Sequence, residues 1–184
     1  MPGDKPATLA RFVRLLETWE VFPSTELVAD FSRQWAALWP GVHQLAEWQD
    51  ADLLLLLRRG MHHPSWFLRA ETLELLGFHY DLADDAELLG IVRCVLLSDE
   101  SGKVRQTAAA VLGTQTHVWD ESLMHSLTND PDEDVRRASF GALLHLLKLG
   151  FSTETHLMAE VEAGHLAPTL ASLRARAIAA HYDT

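Results

Sequence analysis

The chain has a single cysteine, Cys94, among its 184 residues. One thiol cannot form an intramolecular disulfide, which excludes the cysteine framework of small secreted proteins. Cys94 lies in the apolar segment IVRCVLL, where we expect it to be buried as a small hydrophobic residue. These features predict a reducing compartment, and we expect the protein to be cytoplasmic.

Long hydrophobic runs are also missing from the sequence. The first residues, MPGDKPATLARF, lack the apolar core and the small-residue cleavage site of a signal peptide. No apolar stretch approaches the roughly 20 residues that a membrane-spanning helix requires. The sequence therefore predicts that no membrane is among the partners of the protein.

Basic residues are few: 15 Lys and Arg stand against 26 Asp and Glu, a formal net charge of −11. Binding to the phosphates of a nucleic acid requires clustered cations. The longest basic clusters are the pairs Arg58-Arg59 and Arg136-Arg137. This balance argues against nucleic acid and favours another protein as the partner.

Patterns typical of a reactive site are absent as well. The ten histidines show no metal-binding spacing, such as two His four residues apart on a helix. There is no G-x-S-x-G nucleophile motif and no glycine-rich phosphate loop. The acidic clusters at 81–87 and 130–134 fall at predicted helix starts, where negative charge complements the helix dipole. We therefore predict no catalytic residue, no metal ion and no cofactor.

Apolar residues at helical spacing are present throughout, and the first 48 residues form the first region. Two helices are predicted here, the second of them ended by Pro40-Gly41. Four of the six tryptophans lie in this region: Trp19, Trp35, Trp39 and Trp48. They indicate either a helical cap that closes the end of a helical stack or a stacking platform for a ligand. We expect residues 1–48 to be a cap that is continuous with the rest of one domain.

Residues 49–184 are predicted to form helix pairs whose second helices share a motif, an apolar anchor followed by arginine. The copies are Leu68-Arg69, Val104-Arg105, Val135-Arg136 and Leu173-Arg174, at intervals of 36, 31 and 38 residues. Gly77 and Gly113 are expected to end their helices. Asp130 is expected to be an N-cap, with Pro131 at the first helical position and Glu133 completing a capping box. Helix pairs with such a period are typical of an α-solenoid.

The copy at 130–144, DPDEDVRRASFGALL, resembles the short bacterial HEAT repeat of the phycobilin-lyase type, D-P-x-x-x-V-R-x-x-A-x-x-A-L-G. The copy DESGKVRQTAAAVLG lacks the proline, and HPSWFLRAETLELLG lacks the aspartate. The resemblance covers roughly residues 50–184. It implies an all-α superhelix, a HEAT-like solenoid of about four to five helix pairs with an N-terminal helical cap.

The arginines of the motif are interpreted as structural. We expect each guanidinium to lie at a junction between repeats, where it can reach an inter-helix aspartate or the carbonyls that end a helix. The members of this arginine ladder are Arg69, Asp99, Arg105, Asp130 and Arg136.

Binding residues are expected on the concave face of the solenoid, at positions two, six, nine and thirteen after each anchor and at near neighbours. That rule selects Glu74, Gln106, Arg137, His145 and Lys148. The alternative for these residues is ordinary solvated helix surface. Neither the identity of the partner nor the oligomeric state follows from the pattern.

Three function classes are considered: an interaction protein, a DNA glycosylase and a bilin lyase. The first is a non-enzymatic protein–protein interaction scaffold or adaptor. A narrower version is an immunity protein or inhibitor that caps a basic partner such as a nuclease, with association accelerated by the acidic charge. The resemblance also extends to HEAT-like DNA glycosylases, for which Trp66, Trp119 and Asp120 would be the candidates. The net charge opposes that reading, and no residue indicates the tetrapyrrole site of a bilin lyase.

Overall fold

The computed structural model describes residues 4–18, 25–116, 118–147, 154–169 and 171–176. Within these ranges every regular element is a helix, so the all-α class is confirmed there. The helices are α1 (Lys5–Thr18), α2 (Thr25–Glu47), α3 (Ala51–Gly60), α4 (Trp66–His79), α5 (Ala86–Ser98), α6 (Gly102–Gln115), α7 (Glu121–Asn129), α8 (Glu133–Leu146) and α9 (Glu154–Glu162), followed by a helical segment at 171–176. The chain divides into two compact units, Met1–Asp81 and Leu82–Thr184.

In the first unit, α2 continues through Pro40, so the prediction that the helix ends at Pro40-Gly41 is wrong. An internal proline costs about 3 kcal/mol. Three residues beyond it, Val42, Leu45 and Ala46, are nonetheless fully or almost fully buried, and burial of one large aliphatic side chain contributes about 1.5–3 kcal/mol. The apolar face beyond the proline therefore offsets the lost hydrogen bond.

Trp35 is at the centre of the aromatic core of this unit and is only 6% exposed. Its ring lies 5.9 Å from that of Phe12, 5.5 Å from that of Trp39 and 6.2 Å from that of Phe67. Trp48, by contrast, is 55% exposed. The predicted tryptophan cluster is therefore one core residue with a half-buried neighbour and a separate surface residue. Trp19 lies outside the described residues.

In the second unit, α6 packs along α8, and each also packs on the first helix of its own pair, α5 or α7. The anchor positions predicted for the core are buried: Val104, Ala108, Val111 and Leu112 on α6, and Val135, Ser139, Ala142 and Leu143 on α8. The Ser139 hydroxyl donates to Ser126 Oγ at 3.0 Å, which joins α8 to α7. The predicted packing of these two helices is thus confirmed.

The glycines of the motif lie inside their helices, so the prediction that they end them is wrong. Gly77 is followed by two more residues of α4, and Gly113 by two more of α6. A Cβ atom on Gly113 would lie 2.6 Å from Ala142 Cβ and 2.8 Å from its Cα. Gly113 is therefore required because α6 and α8 approach closely at this point.

Two further expectations are overturned. Asp132 caps α8, accepting from Asp134 N at 2.9 Å, whereas Asp130 ends α7. Asp130 is not the N-cap, and Pro131 is not at the first helical position, because α8 begins only after Asp132. The carboxylate of Asp130 accepts from Asp132 N and from Arg105. Cys94 is exposed rather than buried, since the buried face of α5 is formed by Leu88, Leu89, Val92 and Leu96.

None of the described helices combines the length and the apolar character needed to cross a membrane.

Candidate functional site

Three of the four motif arginines, Arg69, Arg105 and Arg136, make one shared contact: Nη1 of each of the three donates to the backbone carbonyl six residues before it. The bonds are Arg69 to His63 (2.8 Å), Arg105 to Asp99 (2.7 Å) and Arg136 to Asp130 (2.8 Å). Arg69 Nη1 also donates to the Pro64 carbonyl at 2.8 Å. Each arginine therefore closes the turn between the two helices of its own pair and satisfies a carbonyl that the turn leaves unpaired.

Arg105 also links one helix pair to the next. Its Nε and Nη2 donate to the two carboxylate oxygens of Asp130 at 2.8 and 2.9 Å. The side chains are only 11% and 6% exposed. The bond to Asp130 raises the pKa of Arg105. Burial opposes ionisation of Asp130, but the bonds from Arg105 and from the Asp132 N–H outweigh it and hold the Asp130 pKa below its ordinary value.

The two inter-helix aspartates shape the turns in the same way. Asp99 Oδ1 accepts from Ser101 N at 2.8 Å, and Asp130 Oδ1 accepts from Asp132 N at 2.9 Å. Both carboxylates thus fold the backbone back on itself just before a second helix begins. These side chains are positioned to hold the turns.

A second ion pair in this unit was not predicted from the sequence. Arg93 Nε on α5 donates to Asp120 Oδ2 at 2.7 Å, and Asp120 is almost fully buried. Asp120 also caps α7 by accepting from Ser122 N at 2.9 Å. The capping role could have been read from the segment WDES, but no local pattern indicates Arg93. Both carboxylate oxygens of Asp120 accept hydrogen bonds within the protein, which leaves little for the catalytic role considered above.

The predicted binding residues fall in different places. Gln106 and Arg137 occupy equivalent positions on α6 and α8, which pack side by side. Gln106 is half-buried and accepts from Lys103 Nζ at 3.2 Å, whereas Arg137 is exposed and contacts Glu133 at 3.4 Å. His145 is exposed on α8. Glu74 is exposed on α4 of the other unit, and Lys148 lies outside the described residues.

The first unit contains a histidine cluster that the sequence did not reveal. The His43 and His79 rings meet edge to face at 4.6 Å, and Trp39 lies 5.5 Å from His43. Burial lowers the pKa of His79, and His43 lowers it further, while Glu47 and Glu74 oppose the change. Trp39 and His43 are four residues apart, which places them on the same face of a helix. The sequence would indicate this contact only if α2 were known to continue through Pro40.

In the described part of the chain, no three His, Cys, Asp or Glu side chains are grouped so that they could hold a metal ion.

No protein-family model, curated protein or solved structure matches the sequence or the fold. What the described residues offer is a set of internal ion pairs that hold the turns, together with an exposed polar surface on α6 and α8.

Proposed function

We propose that the protein is a non-enzymatic scaffold or adaptor whose helix pairs form a HEAT-like solenoid. It binds another protein through the exposed sides of its second helices. The observation that carries the proposal is the close packing of α6 on α8 through Gly113 and Ala142. Because the helices lie so close, Gln106, Arg137 and His145 contribute to one binding face.

The composition of this face suits a protein partner. It presents both charges, with Lys103 beside Gln106 and Arg137 beside Glu133, and an exposed imidazole at His145. Arginine is enriched among the residues that dominate binding energy at interfaces. The pair between Arg137 and Glu133 is exposed on both sides, 54% and 63%, so a partner can replace it at little cost.

The charge of the second unit supports the narrower version, a partner that is itself basic. Residues 82–184 contain 15 acidic residues against 8 basic ones, a net charge of −7. Several of the basic side chains are engaged within the protein, as Arg93, Arg105 and Arg176 are with carboxylates. The surplus negative charge would accelerate association with a cationic protein and make its rate sensitive to salt.

The test compares proteins captured from a lysate by the wild type, by Arg137→Glu and by Arg33→Glu. Arg33 is an exposed arginine on α2 that also pairs with a nearby carboxylate, so its substitution changes the net charge equally. We expect the affinity of a captured partner to fall about tenfold or more with Arg137→Glu only. Equal capture by all three proteins would contradict the proposal, as would tight binding of duplex DNA at low salt.

A further inference from the structure

Three open pockets lie next to one another around α7 in the second unit. The first, about 230 Å³, lies between the ends of α5 and α7 and is lined by Leu97, His125 and Asn129, among others. The second, about 520 Å³, covers the outer side of α7 between Leu97 and Pro168. The third, about 490 Å³, continues from Pro168 towards Met158 on α9. Neighbouring pockets share lining residues, and we call the three pockets together the α7 groove.

The packing of the second unit explains why this groove exists. The second helices α6 and α8 approach closely because Gly113 has no side chain. The first helices α5 and α7 pack on each other less extensively, so space remains between them. Leu97 is 49% exposed at the edge of that space, and Met124 is half-buried within it. A partner that covers the groove would remove this apolar surface from water.

The charged side chains that line the groove are mainly acidic. Four carboxylates line the three pockets, on Asp99, Glu121, Asp130 and Glu162, against two arginines, Arg105 and Arg136. Both arginines already donate hydrogen bonds within the protein. Glu121 and Glu162 are exposed. Asp99 and Asp130 also accept hydrogen bonds within the protein, so the surplus of negative charge in the groove rests on Glu121 and Glu162. That surplus attracts cationic groups and disfavours a second copy of this acidic chain.

We propose that the α7 groove docks a basic peptide segment of a partner protein, which inserts an apolar side chain between α5 and α7. The first pocket, about 230 Å³, is smaller than the roughly 300 Å³ at which ligand pockets usually begin, and it suits a single side chain. Lysine or arginine residues elsewhere in the segment then face Glu121, which lines the second pocket, and Glu162, which lines the third. Gln106, Arg137 and His145, which form the α6 and α8 face proposed above, do not line the groove. The groove is therefore a separate surface.

The test uses a displayed library of random short peptides selected against the full chain. We expect the selected peptides to carry an apolar residue together with lysine or arginine. Their affinity should fall about tenfold or more for Leu97→Asp, and several-fold for Glu162→Lys. Glu162 is the last residue of α9, where lysine is compatible with the helix dipole, so the second variant is expected to fold. Leu55→Asp is the control, because Leu55 is another exposed leucine on a helix, 66% exposed against 49% for Leu97, and it lies on α3 outside the groove.

Failure of this proposal can be told apart from failure of the scaffold proposal. Peptides that lose binding with Arg137→Glu but bind Leu97→Asp as the wild type does would overturn the groove and leave the α6 and α8 face intact. Acidic selected peptides, or none, would also overturn it. Sedimentation in which Leu97→Asp converts a dimer into a monomer would assign the groove to a second copy and contradict the proposal.

Discussion

Replacing Asp130 by alanine should destabilise the second unit strongly. The substitution leaves the Arg105 guanidinium, which is 11% exposed, without the carboxylate that accepts two of its hydrogen bonds. Removing one partner of a buried ion pair typically costs about 3–5 kcal/mol. The backbone N–H of Asp132 also loses its acceptor, which adds about 1 kcal/mol. We expect a loss of about 4 kcal/mol in the free energy of unfolding, the lower end of this sum, because Arg105 keeps its hydrogen bond to the Asp99 carbonyl.

Urea unfolding followed by circular dichroism measures this loss. For an m-value near 2 kcal/mol/M, the midpoint should fall by about 2 M. Glu133→Ala is the control, because that residue belongs to a pair that is exposed on both sides, and it should cost less than about 0.5 kcal/mol. Arg105→Met combined with Asp130→Leu should recover part of the loss, since no buried charge is then left alone.

The ion pair between Arg105 and Asp130 also predicts that the stability of the protein depends on pH in the acidic range. The pKa of Asp130 is lower in the folded state than its ordinary value of about 3.9. The contribution of Asp130 to the free energy of unfolding is therefore complete above that ordinary value and is lost as the pH falls through the folded pKa.

If Asp130→Ala proved no more destabilising than Glu133→Ala at neutral pH, the structural role assigned to the arginine ladder would be refuted.

Two further predictions concern stability. Because the folded pKa of His79 lies below its ordinary 6.5, its neutral form favours folding above about pH 6.5, and this contribution should decline as the pH falls through that value. His79→Phe keeps a ring against His43, and it should make the urea midpoint depend less on pH between pH 7 and pH 5. An unchanged pH dependence would contradict this role of His79. Gly113→Ala places a Cβ against the backbone of Ala142 and should cost about 1–3 kcal/mol, whereas Gly90→Ala, with nothing within 4 Å, should stabilise α5 by up to about 1 kcal/mol. Equal effects of the two glycine variants in thermal unfolding would refute the close approach of α6 and α8.

The helices and the buried anchors could be predicted because both follow from local spacing. Val104 and Val135 recur at the same place in their repeats, and the arginine after each one reaches the turn just before it. Those contacts lie within a few residues along the chain, so a pattern in the sequence is sufficient to anticipate them.

The errors arose where distant contacts decide the outcome. Pro40 ends a helix by local rules, yet the buried residues beyond it keep α2 continuous. Asp130 is an N-cap candidate by local rules, but α8 begins after Asp132, and Asp130 instead pairs with Arg105, 25 residues earlier. Gly113 looks like a helix end, although it is there because Ala142 on another helix lies against it.

The groove around α7 and the pairing of His43 with His79 depend on the same kind of information. Neither feature has a sequence signature, because each one brings together residues from separate helices. Leu97 and Pro168, for instance, line one pocket although they are 71 residues apart. Such features follow from packing, and only the assembled helices reveal them.

The most direct test of the central claim is hydrogen–deuterium exchange of the protein alone and in complex with a partner captured by the wild type. We predict that the complex slows exchange along α6 and α8, with the largest effect around Gln106, Arg137 and His145. Protection confined to other helices, or turnover of a small molecule by a protein that binds no partner, would contradict the account.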